Sequence, residues 1–296
     1  PFESDFGWTK QQLSLNFTLT MCFFCIGGLV GSFLSHKIGV KLASLTSAVL
    51  AGSGMALTGF LNSGNVVLLY LTYAVMAGLG IGIAYNVIIS TVSAWFPDKK
   101  GLCTGCLMMG FGASSLLLGN LAESAFQSGL AFRGTYILLG VALFVVLGLI
   151  SLFLKRPEAD TFLPTAKKKV NSSTEVFESK DYTTKQMLTR FSFWRAFVLL
   201  AFATAVGNSV ISFARDLALS VGAQVTLATT LVGVIAVCNG LGRILTGTMF
   251  DILGRKKTML IATILTIVAA GITLLSVITG SLPICIIGLC LTGLSY

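Results

Sequence analysis

Acidic side chains and histidine are scarce: 11 Asp and Glu stand in 296 residues, with a single histidine, His36. None of the acids lies near the middle of the long apolar runs, so the visible runs offer no buried carboxylate or imidazole as a proton relay. No nucleophile, base and orienting group occur together, which excludes an enzyme on the usual acid-base or covalent plans. Charged residues make up only 10% of the chain and mean hydropathy is +0.90, values that exclude an ordinary soluble domain. Metal and redox chemistry find no support either. Cys22 with Cys25 and Cys103 with Cys106 have C-x-x-C spacing, but inside apolar runs without neighbouring histidine or charge, where i, i+3 spacing only places small polarizable residues on one helix face. No cofactor is implied. The run from Gly78 to Gly82 reads G-x-G-x-G, yet it sits within an apolar stretch and opens no parallel-sheet unit, so close helix packing accounts for it better than a nucleotide fingerprint.

What is present is apolar length. Nine candidate spans follow one another: Leu13 to Leu34, Leu42 to Leu61, Val66 to Ala94, Gly101 to Leu121, Gly134 to Leu154, Trp194 to Ala214, Thr226 to Ile252, Thr258 to Thr279, and a last one from Leu282. The fold class is therefore all-α, a polytopic membrane helical bundle. With Pro1 to Gln12 external, the loops after the first, third, fifth and seventh spans hold 16 of the 20 Lys and Arg residues, a strong positive-inside bias. The formal charge of +9 is thus a topology signal. Dispersed over several loops, it does not point to nucleic acid. The predicted partners are the lipid bilayer and a small solute, and the predicted location is a multi-pass position in the plasma membrane.

The one long polar segment, about 155–193, carries Pro157, Pro164 and the Lys167 to Lys169 triplet and reads as a cytoplasmic linker. It divides the chain into an amino-terminal membrane bundle, 1–154, and a carboxy-terminal one, 194–296. The chain begins without methionine and the last span is short, so further spans are expected on each side. Asn16 and Asn171 begin N-x-[ST] sequons, one at a membrane entry and one in the cytoplasmic loop, where glycosylation is not expected.

Each half carries an echo of one motif on its cytoplasmic side. Ser32 to Lys41 aligns without gaps to Gly247 to Lys256, and each copy follows one apolar span and precedes another. The second copy is G-x-x-x-D-x-x-G-R-K-K. In it Gly247 permits close helix approach, Gly254 allows a tight turn, and Asp251 either pairs with the basic turn of Arg255 and Lys256 or caps a neighbouring helix end. Such a motif makes a cytoplasmic latch.

On these residues the chain resembles the major facilitator superfamily, whose signature this motif is. The resemblance is closer to its oxalate/formate antiporter branch and the neighbouring monocarboxylate transporters, through Phe6 to Lys10 with Leu13 to Leu15, Trp95 to Gly101, and Asn239 to Arg243. It covers nearly the whole chain. It implies a two-bundle architecture of twelve helices, of which nine are visible here, and alternating access as the two bundles rock about a central site. In the first latch Ser32 and His36 replace the usual glycine and aspartate, beside the retained Gly39 and Lys41. His36 reads as a solvated interfacial residue or as a pH-sensitive latch element.

The candidate binding residues centre on Arg243. It lies 11 residues before Gly254, roughly 16 Å along a helix and about half the apolar thickness of a bilayer. A cation there costs about 2.5–3.5 kcal/mol on insertion scales, so it is expected to face a cavity with an anion nearby. Arginine's planar fork grips a carboxylate through two hydrogen bonds and keeps its charge at any working pH. The competing reading pairs it internally, with a backbone carbonyl or a helix end. Val232, Ala236, Asn239 and Thr246 share its helical face, and Asn239 stands one turn before it. Tyr85 and Asn86 follow the glycine-thinned stretch of the third span. Aromatic residues at positions resembling Tyr85 and Tyr296 line the anion site of the antiporter branch.

The leading functional expectation is a secondary carrier of small organic anions, oxalate- or formate-like or monocarboxylates. Monocarboxylate carriers tend to place an aspartate where this chain has Asn239, so exchange is favoured over proton symport, with protons kept as an alternative coupling ion. A non-transporting sensor with an anion site, and a facilitator for a neutral or cationic solute, are the readings from other classes.

Overall fold

A computed structural model of the chain describes residues 6–61, 65–110, 132–157 and 182–295. The described residues form helices and turns without a strand, as an all-α membrane protein requires. In chain order the helices are α1 (Lys10–Lys37), α2 (Val40–Thr58), α3 (Val66–Trp95), α4 (100–110), α5 (Phe132–Phe153), the short α6 (Thr184–Leu188), α7 (Phe191–Ser220), α8 (Val225–Leu253), α9 (Arg255–Thr279) and α10 (Leu282–Ser295). By length and composition α1, α2, α3 and α9 are long and apolar enough to cross a bilayer, as are Arg133–Phe153 of α5 and Thr230–Leu253 of α8. Phe191–Ala205 of α7 and all of α10 are shorter apolar helices. The fourth expected span is described only as far as residue 110, and Lys167 to Lys169 and Asn171 of the linker lie outside the described residues.

The helix starts follow local chemistry. Thr9 and Gln12 form a capping box ahead of α1, the Thr9 hydroxyl accepting from Gln12 N at 3.3 Å and the Gln12 side chain accepting from Thr9 N at 2.9 Å. Thr183 and Gln186 repeat the device at α6. Gly39 and Gly254, each between two helices, adopt φ 85, ψ 162 and φ 80, ψ 168. A side chain at either would be strained. Residues Tyr70–Ala77 of α3 wind as a π-helix, a departure that nothing in the apolar pattern announces.

The chain divides into two compact units, residues 1–97 with 117–163 and residues 98–116 with 164–296. In the first, α1 lies on α3 and α2 on α5. A Cβ at Gly31 would stand 2.9 Å from Ile83 Cα, and one at Gly140 would stand 2.7 Å from the Gly52 carbonyl, so the helices touch backbone to backbone. Gly80 and Gly82 lie against Ala51 and Phe24 in the same way, which is the packing expected of the G-x-G-x-G run. Ala48, Ala51, Ala84 and Leu147 form part of its core. At the opposite end from the Gly39 turn, Trp8 is buried with Leu61 and Leu69 and stacks on Phe6 at 4.8 Å.

In the second unit α7, α8 and α10 enclose Ala214, Ile235, Cys285 and Leu289. The large apolar side chains Leu260, Ile264 and Ile267 of α9 stay exposed, on a surface suited to lipid. Helix α4 belongs to this unit although chain order would assign it to the amino-terminal bundle. The physical reason is its fit against α8, described next.

Candidate functional site

Helix α8 positions most of the singled-out residues, and α4 is its partner. Gly101 and Gly105, one turn apart on α4, meet the Gly247 and Arg243 carbonyls so closely that neither position admits a Cβ. Met109 Cγ lies 2.9 Å from the place a Cβ would take at Gly240. Small residues at four-residue spacing let the two backbones touch, and in lipid that close packing holds helices together.

At the Gly254 end of α8 this contact becomes polar. The Asp251 carboxylate accepts from Gly101 N at 2.9 Å through one oxygen and from Leu102 N at 2.8 Å through the other. These are donors of the first turn of α4, which have no partner within their own helix, and the anion also faces the positive end of that helix's dipole. Of the two roles open to Asp251, the structure shows the helix cap. Gly254 then turns the chain so that Arg255 and Lys256 start α9, both exposed.

The first copy keeps the turn and not the cap. Gly39 has the same backbone conformation as Gly254, while His36 and Lys41 are exposed. Nearby, Arg156 Nη2 donates to the Ser35 hydroxyl at 3.4 Å and Trp95 Nε1 donates to the Lys155 carbonyl at 2.8 Å.

Arg243 is half-buried, and its Nη1 donates to the Met108 carbonyl of α4 at 3.1 Å. This is the internal backbone partner of the competing reading, and it engages one of five N–H donors on a group that stays charged. Among the described residues no Asp or Glu pairs with Arg243. Asn239, one turn earlier, is 6% exposed and lies against α10, its N being 3.4 Å from where a Cβ at Gly293 would stand. The rest of the predicted stripe is uneven. Ala236 and Thr246 are partly buried, but Val232 is exposed.

Tyr85 and Asn86 belong to the first unit. Tyr85 packs on Phe24 at 5.2 Å between ring centroids, and Asn86 Nδ2 lies 3.9 Å from where a Cβ at Gly28 would be. Tyr296 lies outside the described residues, and Asn16 of the first sequon is buried. The structure thus brings together Arg243, Asn239, Gly247, Asp251 and α4, and it places Tyr85, Asn86, His36, Gly39 and Lys41 in the other unit. Sequence reasoning missed Met108, whose backbone carbonyl has no sequence signature. The Gly101-x-x-x-Gly105 spacing was the available cue to α4 as partner.

Helices long and apolar enough to cross a membrane, packed through glycines and with the same turn repeated at Gly39 and Gly254, define an integral, multi-pass membrane protein. Residues 1–296 match the Major Facilitator Superfamily, and the chain belongs to that family, whose members are transporters and not enzymes and whose usual location is the plasma membrane. It is 30% identical over 262 residues to an uncharacterised MFS-type transporter, YhjX, of Escherichia coli K12, covering 87% of this chain and 61% of that one. To the oxalate:formate antiporter of Oxalobacter formigenes it is 28% identical over 267 residues, 88% of this chain and 59% of that one. Monocarboxylate transporter 1 of Bos taurus is 28% identical over 188 residues, 62% of this chain and 35% of that one. The chain therefore spans at most about three fifths of these relatives' length. Among solved structures, the proton:xylose symporter XylE bound to 6-bromo-6-deoxy-D-glucose superposes with a TM-score of 0.67 at 13% identity, over 99% of this chain and 73% of that one, a likeness of fold.

Proposed function

We propose that this chain is the substrate-binding part of a secondary active transporter for small organic anions, with Arg243 gripping the substrate carboxylate. One observation carries the reading: a guanidinium in an apolar helix has a neutral carbonyl as partner and no acid among the described residues. A half-buried cation in that state gains most from a ligand that brings a negative charge and two acceptors in one plane. Relatives named as an oxalate:formate antiporter and as monocarboxylate transporters support carboxylates as the class. Asn239 orients the guanidinium or bonds the ligand, and Tyr85, Asn86 and Tyr296 are proposed as further lining residues.

Alternating access exposes Arg243 to one side of the membrane and then to the other. Asp251, Gly247, Gly254, Arg255 and Lys256 serve as one latch of that cycle and His36, Gly39 and Lys41 as its weaker counterpart. The chain-order division into bundles 1–154 and 194–296 joined by a cytoplasmic linker 155–193 belongs to the same proposal, with α4 the part of the first bundle that packs within the other compact unit. Exchange is favoured because the visible spans hold no mid-membrane acid or histidine to carry a proton; proton-coupled monocarboxylate symport is the second reading, favoured by the monocarboxylate relatives.

The test is uptake of labelled oxalate, formate, lactate and pyruvate into proteoliposomes holding the full-length protein. Counterflow with trans substrate supports exchange, uptake driven by a pH gradient supports symport, and binding without flux supports a sensor. Arg243→Gln is expected to abolish uptake of every anion. Retained transport in that variant refutes the assignment.

A further inference from the structure

The start of α7 carries a groove with a charged rim. Phe191, Trp194, Arg195, Val198, Leu199 and Phe202 recur at i, i+3, i+4, i+7, i+8 and i+11, which puts them on one helical face. With Met259 of α9 they line a groove of about 710 Å³, and all of these side chains are exposed. The same end is rich in positive charge: residues 182–202 hold Lys185, Arg190 and Arg195 and no Asp or Glu. Arg255 and Lys256, one turn before Met259, share its face of α9 and are exposed too. Two of these cations are held by aromatic rings. The Arg195 guanidinium lies 5.8 Å over the Phe191 ring at the groove rim, and that of Arg190 lies 4.8 Å over Tyr182. Trp194 Nε1 donates to the Leu188 carbonyl at 2.9 Å, which ties the end of α6 to α7. Among the described residues, Lys185, Arg190 and Arg195 have no side-chain hydrogen bond and no acidic partner.

Aromatic side chains with flanking arginines at the end of an apolar helix mark the level of the lipid headgroups. On one side of that level Val198, Leu199 and Phe202 offer a hydrocarbon chain an apolar bed. At the rim the Arg195 fork offers two N–H groups to a phosphate. A free phosphate uses the rim alone, and a zwitterionic lipid offsets its phosphate with its own ammonium. An anionic lipid matches both the apolar floor and the positive rim. We propose that the α7–α9 groove is a site for one anionic phospholipid, its phosphate on Arg195 and an acyl chain along Leu199 and Phe202, with Lys185, Arg190, Arg255 and Lys256 supplying further positive field. Each Lys or Arg near an anionic surface strengthens binding roughly fivefold. The site goes beyond the carrier reading and does not depend on it.

The experiment places the full-length protein in phosphatidylcholine nanodiscs with trace phosphatidylglycerol, or trace phosphatidylcholine, carrying a photoactivatable diazirine on one acyl chain, and maps the adducts by peptide mass. The expected result is that phosphatidylglycerol labels the peptide covering 191–202 roughly fivefold or more above phosphatidylcholine. This comparison needs no variant. Arg195→Gln should lower the phosphatidylglycerol label there about fivefold and leave the phosphatidylcholine label unchanged. Leu199→Trp fills the groove and should displace both lipids, while Arg215→Gln, exposed at the far end of α7, should change neither. Equal labelling by the two lipids, or phosphatidylglycerol label that survives Arg195→Gln, overturns the proposal. So does displacement of the label by inorganic phosphate at constant ionic strength, which marks a rim site for the free ion. Absence of label from 191–202, as when a protein helix of this chain or of a second copy covers the groove, overturns it as well. Because the readout is a mass and not a flux, its failure is distinct from failure of the carrier reading.

Discussion

Removing the Asp251 carboxylate should open the first turn of α4 and leave the rest of the fold in place. The carboxylate accepts from Gly101 N at 2.9 Å and Leu102 N at 2.8 Å, and nothing in α4 itself can replace it. A hydrogen bond to a charged group contributes about 1.5–3 kcal/mol. The two bonds share one carboxylate and one helix end, so they are not independent, and Asp251 is only half-buried, so water reaches the opened donors in part. We take about 3 kcal/mol for Asp251→Ala, which is about two orders of magnitude in the local opening equilibrium. Asp251→Asn keeps one acceptor without charge and should lose about half of that, about tenfold. Hydrogen-exchange mass spectrometry on the peptide covering 99–106, in nanodiscs, reads both numbers. Faster exchange confined to that peptide, in the order Ala, Asn, wild type, is the expected result. Exchange within about threefold of wild type in Asp251→Ala would refute the cap, because so small a change is under 1 kcal/mol.

The glycines give a paired test. Gly101→Ala and Gly105→Ala push a methyl into the backbone of α8 and should each cost about 1–3 kcal/mol, read as a lower thermal midpoint. Gly271→Ala on α9 meets nothing within 4 Å and should stabilise by up to about 1 kcal/mol through helix propensity. Gly254→Ala forces a side chain into φ 80 and should cost about 1–3 kcal/mol. Trp8→Ala empties a site that is 4% exposed and should cost about 3 kcal/mol or more, visible as lost protection at the ends of α1 and α3 that flank Leu61 and Leu69.

The long helices were legible because apolar length is the strongest constraint a bilayer imposes. The turn residues Gly39 and Gly254 were legible because only glycine is at ease with the backbone they adopt. Less visible was which helix each residue would meet. Asp251 had two partners open to it, and the choice depended on α4 lying against α8, which only the i, i+4 glycines Gly101 and Gly105 foreshadow. Arg243 was readable as a cation within an apolar helix, but its contact with Met108 goes to a backbone carbonyl, and every residue has one. The π-helical stretch of α3 leaves no mark in the apolar pattern either. Within it the Thr72 hydroxyl meets that of Thr58 at 3.2 Å, a contact between residues 14 apart in sequence.

The two copies of the latch motif separate what turn and cap each contribute. Their glycines agree within about six degrees in φ and ψ, so the hinge backbone is the same in both halves. Their fourth positions after the leading residue do not agree, since Asp251 holds two helix donors and His36 is exposed. If the turn alone held the cytoplasmic end together, His36→Ala and Asp251→Ala would be equally mild. The cap predicts otherwise: His36→Ala should stay within about 0.5 kcal/mol, as an exposed substitution away from packing does, while Asp251→Ala should cost about 3 kcal/mol. Thermal melts of the two variants side by side, each against wild type, decide it. Equal losses would mean that the carboxylate adds nothing to a hinge already set by glycine, and the strength of the second latch would then have to come from the close contact of Gly247 with Gly101 alone.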